Sequence, residues 1–131
     1  MTRVFKTRHF SRWMHKTELT DQVLCAVVVE MTQGLVDADL GGGVVKKRVG
    51  IAGRGKRSGA RMLIATNRRS RWFFIFGFEK NDRASIADDE LEALQDIATQ
   101  LLARTSLQLD KAVEDSSLQE ICHENKDHAE S

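Results

Sequence analysis

The chain has 131 residues, of which 41% are hydrophobic and 30% are charged, a composition typical of one globular domain and unlike that of a disordered chain. No apolar run approaches the roughly 18 residues that cross a bilayer, and the N-terminus lacks the apolar core of a signal peptide. We therefore expect a cytoplasmic protein that makes no contact with a membrane.

Charge is distributed unevenly, although the formal net charge is only +1. Residues 44–83 contain twelve Lys and Arg against two acidic residues, a net charge of +10, whereas residues 84–131 carry −9 and residues 1–43 are neutral. A segment this basic favours binding to a phosphate backbone. The acidic third either solvates the chain or lies over the basic segment and competes with its ligand.

The N-terminal third predicts a short edge strand followed by helices. Val4–Arg8 alternates as a strand does, and apolar residues recur at intervals of three and four from Phe10 to Gln33, the pattern of one helix or of two. Thr20 or Thr17 is the expected N-cap of the second helical segment, and Gly34 its end. We interpret these helices as core-packing elements without chemistry.

The basic segment predicts strands on either side of a glycine-rich loop. Val44–Val49 and Arg61–Thr66 are predicted strands that flank the loop, and Arg71–Phe78 is apolar at nearly every position, which indicates a central strand covered on both faces. Asn67–Ser70 is the expected turn between the last two strands, which therefore pair antiparallel.

The C-terminal third predicts one clear helix from Ser85 to Ala103, with Ser85 as its N-cap and acidic residues in its first turn. Residues 104–131 are expected to form an acidic extension, partly helical or disordered, beyond a single domain of residues 1–103. The order of elements predicts an α+β fold, with N-terminal helices, a small mostly antiparallel sheet and a C-terminal helix.

The cysteines and histidines do not follow the spacing of a metal site. Cys25 lies in an apolar stretch and is expected to be a small buried residue, while Cys122 and His123 lie in the polar tail without a fourth ligand. We predict no metal, no cofactor and no disulfide. Paired carboxylates, which a two-metal nuclease needs, are missing beside the basic segment.

A nucleotide-binding loop can also be excluded. The heptapeptide GIAGRGK at residues 50–56 matches the start of a P-loop, but Arg57 follows where that motif has the Ser or Thr that binds magnesium. A strand also follows where the motif requires a helix N-terminus. The remaining chemistry is that of Lys and Arg, which hold phosphates, stabilise charge on phosphorus and, when crowded by other cations, supply a base.

The basic segment and the helix after it resemble the RelE/HigB superfamily of bacterial toxins, most closely the HigB-type branch. The resemblance covers residues 44–103 and rests on the loop Gly53–Arg54–Gly55–Lys56–x–Ser58–Gly59–x–Arg61 and the strand end Phe76–Gly77–Phe78–Glu79–Lys80–Asn81. It implies a RelE-like microbial RNase fold. It also implies a toxin that cleaves mRNA in the 30S decoding site of the ribosome and is neutralised by a helix-turn-helix antitoxin.

Carried over to this chain, the resemblance implies a metal-independent endoribonuclease. The expected catalytic residues are Lys56, Arg61 and Lys80, and the expected RNA-binding residues are Lys47, Arg48, Arg54 and Arg57. The reaction would be attack of the substrate's own 2′-hydroxyl on the adjacent phosphorus.

The chain departs from the family pattern at three points. Arg57 is inserted in the loop, Ala60 replaces a glycine, and no tyrosine is present to stack on a base, so Trp72, Phe76 or Phe78 either takes that role or packs in the core. The alternative function is a non-catalytic RNA- or DNA-binding module that uses residues 44–83.

Overall fold

The computed structural model describes residues 2–51 and 55–123, with the backbone alone for residues 55–58. Within these ranges the chain forms a six-stranded sheet and four helices, and the predicted α+β class is confirmed. In chain order the elements are β1 (Arg3–Thr7), α1 (Arg8–Met14), α2 (Asp21–Thr32), β2 (Ala38–Gly41), β3 (Val44–Ile51), β4 (Gly55–Thr66), β5 (Arg71–Glu79), α3 (Asp88–Leu102), α4 (Ser106–Glu114) and β6 (Leu118–Ile121).

The strands follow the order β2-β3-β4-β5-β1-β6. All neighbours pair antiparallel except β1 and β5, which run parallel with Phe5 opposite Phe73. The prediction that the first strand lies at an edge is wrong, because β6 pairs with its other side. A five-residue strand could not reveal this from sequence, since its second partner lies more than 100 residues away.

The sheet separates two apolar cores. Side chains of α1 and α2 pack on one face, against Trp72 and Phe74 of β5, and side chains of α3 and α4 pack on the other, against Phe73 and Ile75. The prediction that β5 is covered on both faces is therefore confirmed. Its apolar residues are needed on both faces, which explains why the strand shows little alternation.

Helix α2 begins and ends where the sequence predicts, with Thr20 the N-cap of the two candidate threonines. The hydroxyl of Thr20 accepts a hydrogen bond from the backbone N–H of Val23 at 3.3 Å, and Gly34 follows α2 with φ +90°. A positive φ is accessible to glycine at little cost, so the chain can reverse there and enter β2.

Residues 106–121 pack into the domain. Arg3 of β1 donates to both carboxylate oxygens of Glu120 at 2.9 Å and to Asp110 of α4 at 2.8 Å, while Leu118 and Ile121 are buried. The packed structure therefore continues past the predicted boundary at residue 103. A few apolar residues at suitable spacing are enough to dock this segment, although its overall composition is acidic.

A disulfide joins Cys25 of α2 to Cys122, which follows β6, and the prediction of no disulfide is wrong. Pairing of β6 with β1 brings Cys122 to α2, so the two Cα atoms lie 5.5 Å apart despite a sequence separation of 97 residues. The sequence places Cys122 in a polar tail, and nothing near it in the chain predicts that this segment returns to α2.

We expect reduction of this disulfide to lower the free energy of unfolding by about 2–4 kcal/mol, because the crosslink restricts a long loop of the unfolded chain. Urea unfolding with and without a reductant measures the difference. A Cys25→Ser/Cys122→Ser variant serves as the control, since its unfolding midpoint should not respond to the reductant. Equal midpoints for the native chain in its oxidised and fully reduced forms would contradict the prediction.

The indole ring of Trp13 on α1 packs directly against the backbone of Gly77 in β5. A Cβ added at Gly77 would overlap three carbon atoms of that ring. Trp13 also contacts the ring of Phe10, with centroids 5.3 Å apart, so it cannot withdraw without disturbing the core on that face. The glycine is therefore required by packing.

We expect Gly77→Ala to lower the free energy of unfolding by about 1–3 kcal/mol through overpacking. The same substitution in a Trp13→Ala background should cost clearly less, because the indole is then absent. Urea denaturation of the four proteins yields the coupling energy directly. Additive effects of the two substitutions would show that Trp13 does not impose the glycine.

Candidate functional site

The pairing of β3, β4 and β5 places basic residues side by side at one end of the sheet. Arg48 lies opposite Arg61, and Arg61 lies opposite Phe78, so the three side chains share the face that carries α3. Lys80 follows β5 directly, and its backbone N–H donates to the carbonyl of Gly59 at 3.0 Å. We call Arg48, Arg61 and Lys80 the basic row.

A β-bulge in β5 sets the direction of the side chains near the basic row. Leu63 lies opposite Phe76 and Ile64 opposite Phe74, so Ile75 is an extra residue in β5. Both Ile75 and Phe76 therefore pack on the α3 face, and Phe78 reaches that face as well. Without the extra residue, Phe76 and Phe78 would lie on the face of α1.

The two arginines of the basic row differ in exposure. The Arg48 side chain is 48% exposed, whereas Arg61 as a residue is only 7% exposed. Asp37 orients Arg48, because its carboxylate accepts from the Arg48 backbone N–H at 2.5 Å and from the guanidinium at 3.4 Å. The guanidinium of Arg48 is therefore oriented by Asp37 and accessible to solvent, whereas the neighbouring Arg61 is buried.

The segment after β5 is anchored on the same face. The guanidinium of Arg83 lies 5.7 Å from the ring centroid of Phe78 and donates two hydrogen bonds to the carboxylate of Glu90. The Glu90 carboxylate also accepts from the backbone N–H of Ala87 at 2.8 Å. These contacts begin α3 at Asp88, so the predicted N-cap at Ser85 is wrong; the Ser85 carbonyl instead accepts from Arg83.

A family model described as the RelE toxin of the RelE/RelB toxin-antitoxin system matches residues 2–121. The chain belongs to the RelE toxin family. No curated protein matches the sequence. Since the match spans nearly the whole chain, this RelE-family protein is the toxin of a toxin-antitoxin module, and α4 and β6 belong to the matched region.

In this RelE-family toxin, the predicted glycine-rich loop is mostly strand. Strand β3 continues to Ile51 and β4 begins at Gly55, so the two strands form a long hairpin in which Ile51 lies opposite Gly55. The predicted start of β4 at Arg61 is wrong by six residues. Lys56 and Arg57 lie in β4, but their side chains, and the whole of Arg54, fall outside the described part of the chain.

Lys47 lies on the other side of the sheet from the basic row. It is 5% exposed, and its ammonium group contacts Glu30 of α2 at 2.9 Å and donates to the carbonyl of Leu35 at 2.8 Å. Successive residues of a strand point to opposite faces of the sheet, so Lys47 and Arg48 lie on different faces although they are neighbours in the sequence. A count of charges along the sequence does not distinguish the two faces. Lys47 therefore connects β3 to α2 inside the toxin.

The contacts around the basic row do not follow from the sequence. Asp37 orients Arg48, while Arg83 and Glu90 form an ion pair beside Phe78, and no local pattern marks these contacts. Within residues 2–51 and 55–123 no group of three or more His, Cys, Asp or Glu side chains could hold a metal ion. In the same part of the chain no helix is long and apolar enough to cross a membrane.

We expect Glu90→Gln to destabilise the toxin in a pH-dependent manner. Hydrogen bonds from Arg83, and then from Ala87, lower the pKa of Glu90. A carboxyl whose pKa is lower in the folded state contributes stability at pH values above its unfolded pKa, near 4.3, and loses it as the pH falls through the folded value. Denaturant unfolding should therefore separate the native and variant proteins at pH 7, and the difference should shrink below about pH 4. A constant difference across that range would contradict the assignment.

Proposed function

We propose that this RelE-family toxin, of the HigB-type branch, is an endoribonuclease that cleaves mRNA in the 30S decoding site of the ribosome. The observation that carries the proposal is the convergence of Arg48, Arg61 and Lys80, from three separate strands or strand ends, on one end of the sheet. Members of the RelE family are generally endoribonucleases. Acting on translated mRNA, the toxin would work in the cytoplasm.

The proposed chemistry uses the substrate's own 2′-hydroxyl as the nucleophile. Its oxygen attacks the adjacent phosphorus, the bond to the 5′-oxygen of the next nucleotide breaks, and the products carry a 2′,3′-cyclic phosphate and a 5′-hydroxyl. Arg61 would stabilise the charge that develops on the phosphoryl oxygens. Lys80 or Lys56 would accept the proton of the nucleophile, and no metal would be needed.

Binding of the flanking nucleotides is assigned to cations around the row. Arg48 is half-exposed and oriented by Asp37, so it can hold a neighbouring phosphate. Arg54 and Arg57 remain proposed RNA contacts on the resemblance of the loop sequence to the family pattern; the backbone of Arg57 lies in β4, and Arg54 is outside the described residues. Lys47 is left out of this set, since its ammonium group is engaged with Glu30 and its side chain is buried.

The partner proposed for the toxin is a helix-turn-helix antitoxin. Such a protein would inhibit cleavage either by covering the basic row or by blocking entry into the ribosome. Both arrangements predict an inactive complex, and a basic surface of this kind needs shielding from other cellular RNA.

The experiment is cleavage of a reporter mRNA in a purified translation system. We expect Lys80→Ala and Arg61→Lys each to reduce the cleavage rate about 100-fold or more, because each removes a group that acts on the phosphate undergoing reaction. Arg69→Ala is the matched control: Arg69 is also exposed and basic but lies in the turn at the opposite end of β4 and β5, so its variant should cleave as the native protein does.

An equal and small decrease for all three variants would contradict catalysis by the basic row. Tight, salt-sensitive RNA binding with intact mRNA would instead identify a non-catalytic binding module that uses the charge of residues 44–83.

A further inference from the structure

Two rings that the proposed reaction does not use lie in parallel beside the basic row. The imidazole of His9 and the ring of Phe76 have centroids 5.5 Å apart and an interplanar angle of 7°. His9 is exposed and Phe76 is partly buried, so the inner ring supports an outer ring that solvent can reach. Phe76 also contacts Phe78, at a centroid distance of 6.2 Å.

The start of α1 positions His9, and the bulge in β5 positions Phe76. Strand β1 runs parallel to β5 and ends at Thr7, whose hydroxyl donates to the carbonyl of Phe74 at 3.4 Å and accepts from the backbone N–H of Phe10 at 3.2 Å. This capping contact begins α1 and places His9 in its first turn. On the other side, the extra residue Ile75 turns Phe76 toward the same face.

An apolar groove of about 580 Å³ opens beside the two rings. Ala93, Leu94 and Ile97 of α3 form one wall, and Ile97 is 42% exposed. Arg8 lies on the opposite rim, where its guanidinium donates to the carbonyl of Ser116 at 3.1 Å. Glu90 also reaches the groove, but its carboxylate is paired with Arg83.

The groove lies on the same face of the sheet as the basic row and close to it along β5. Phe76 lies two residues before Phe78, which is opposite Arg61, and two residues along a strand span roughly 7 Å. A nucleotide chain with one phosphate at Arg61 can therefore bring an adjacent base to His9, while the Arg8 cation on the rim favours a polyanion.

We propose that His9, supported by Phe76, is a stacking platform for an unpaired RNA base next to the phosphate at the basic row. The proposal rests on the proposed function, since it takes RNA as the ligand. Stacking on a π-face does not require a particular base, so the site would add affinity and orient the strand with little sequence preference.

The test measures binding separately from cleavage. The probe is a short single-stranded 2′-O-methyl RNA, which lacks the nucleophile, together with the same oligomer without bases. We expect His9→Ala to weaken binding of the base-bearing oligomer about 5- to 150-fold and His9→Phe to retain most of it. Both variants should bind the abasic oligomer as the native protein does. Arg48→Ala, as a phosphate-contact control, should weaken binding of both oligomers.

Equal affinity of native and His9→Ala proteins for the base-bearing oligomer would overturn the proposal. If His9→Ala instead weakened binding of the antitoxin alone, the groove would be a protein-binding site and the proposal would again be wrong. Failure of the native protein to bind either oligomer would overturn the stacking site and the proposed RNA contacts together. A base-dependent loss at His9 in a protein that leaves mRNA intact on ribosomes would uphold the platform and refute only the nuclease.

Discussion

The single extra residue in β5 is the constraint on which both the core and the candidate site depend. Before Ile75, the side chains of β5 alternate between the two cores, with Trp72 and Phe74 facing α1 and α2. After it, Phe76 and Phe78 lie on the α3 face beside Arg61, and the residue left facing α1 is Gly77. Trp13 fills the space above that glycine. The bulge thus directs the aromatic side chains toward the basic row while the opposite face remains packed.

The charge of residues 44–83 overstates the surface that is available to a polyanion. Several of its cations serve the fold: Lys47 pairs with Glu30, Arg83 with Glu90, and Arg68 with Asp39. Arg71 donates to the carbonyl of Arg104 and the hydroxyl of Ser106, and these bonds connect β5 to the start of α4. What identifies the candidate site is therefore the strand register that gathers Arg48, Arg61 and Lys80, and not the charge total.

Local features of the fold could be predicted where local chemistry decides them. A threonine N-cap for α2, its termination before Gly34 and the double covering of β5 follow from residue type and short-range pattern, although the choice of Thr20 over Thr17 does not. The position of β1, the disulfide of Cys25 and the docking of β6 depend on contacts between distant parts of the chain, which no short window contains. The start of α3 is not evident from the sequence for a related reason: the Glu90 carboxylate accepts from Ala87 and Arg83, and Ser85 does not cap the helix.

In the candidate site, too, some features could be predicted from the sequence and others depend on contacts between distant parts of the chain. Motif resemblance pointed to Arg48, Arg61 and Lys80, and the register brings them together. Alternation along β3, however, separates Lys47 from Arg48. The contact of Asp37 with Arg48 and the stacking of His9 on Phe76 are visible only in the folded structure. A one-residue bulge reverses the side-chain pattern of half a strand, so the face on which Phe76 lies could not be read from the sequence.

The measurement that tests the central claim most directly is the chemistry of the ends left by the toxin on mRNA in a purified translation system. Attack by the 2′-hydroxyl predicts fragments with a 5′-hydroxyl on one side of each cut and a 2′,3′-cyclic phosphate on the other. Fragments with a 5′-phosphate and a 3′-hydroxyl would show that water is the nucleophile, and would contradict the mechanism assigned to the basic row.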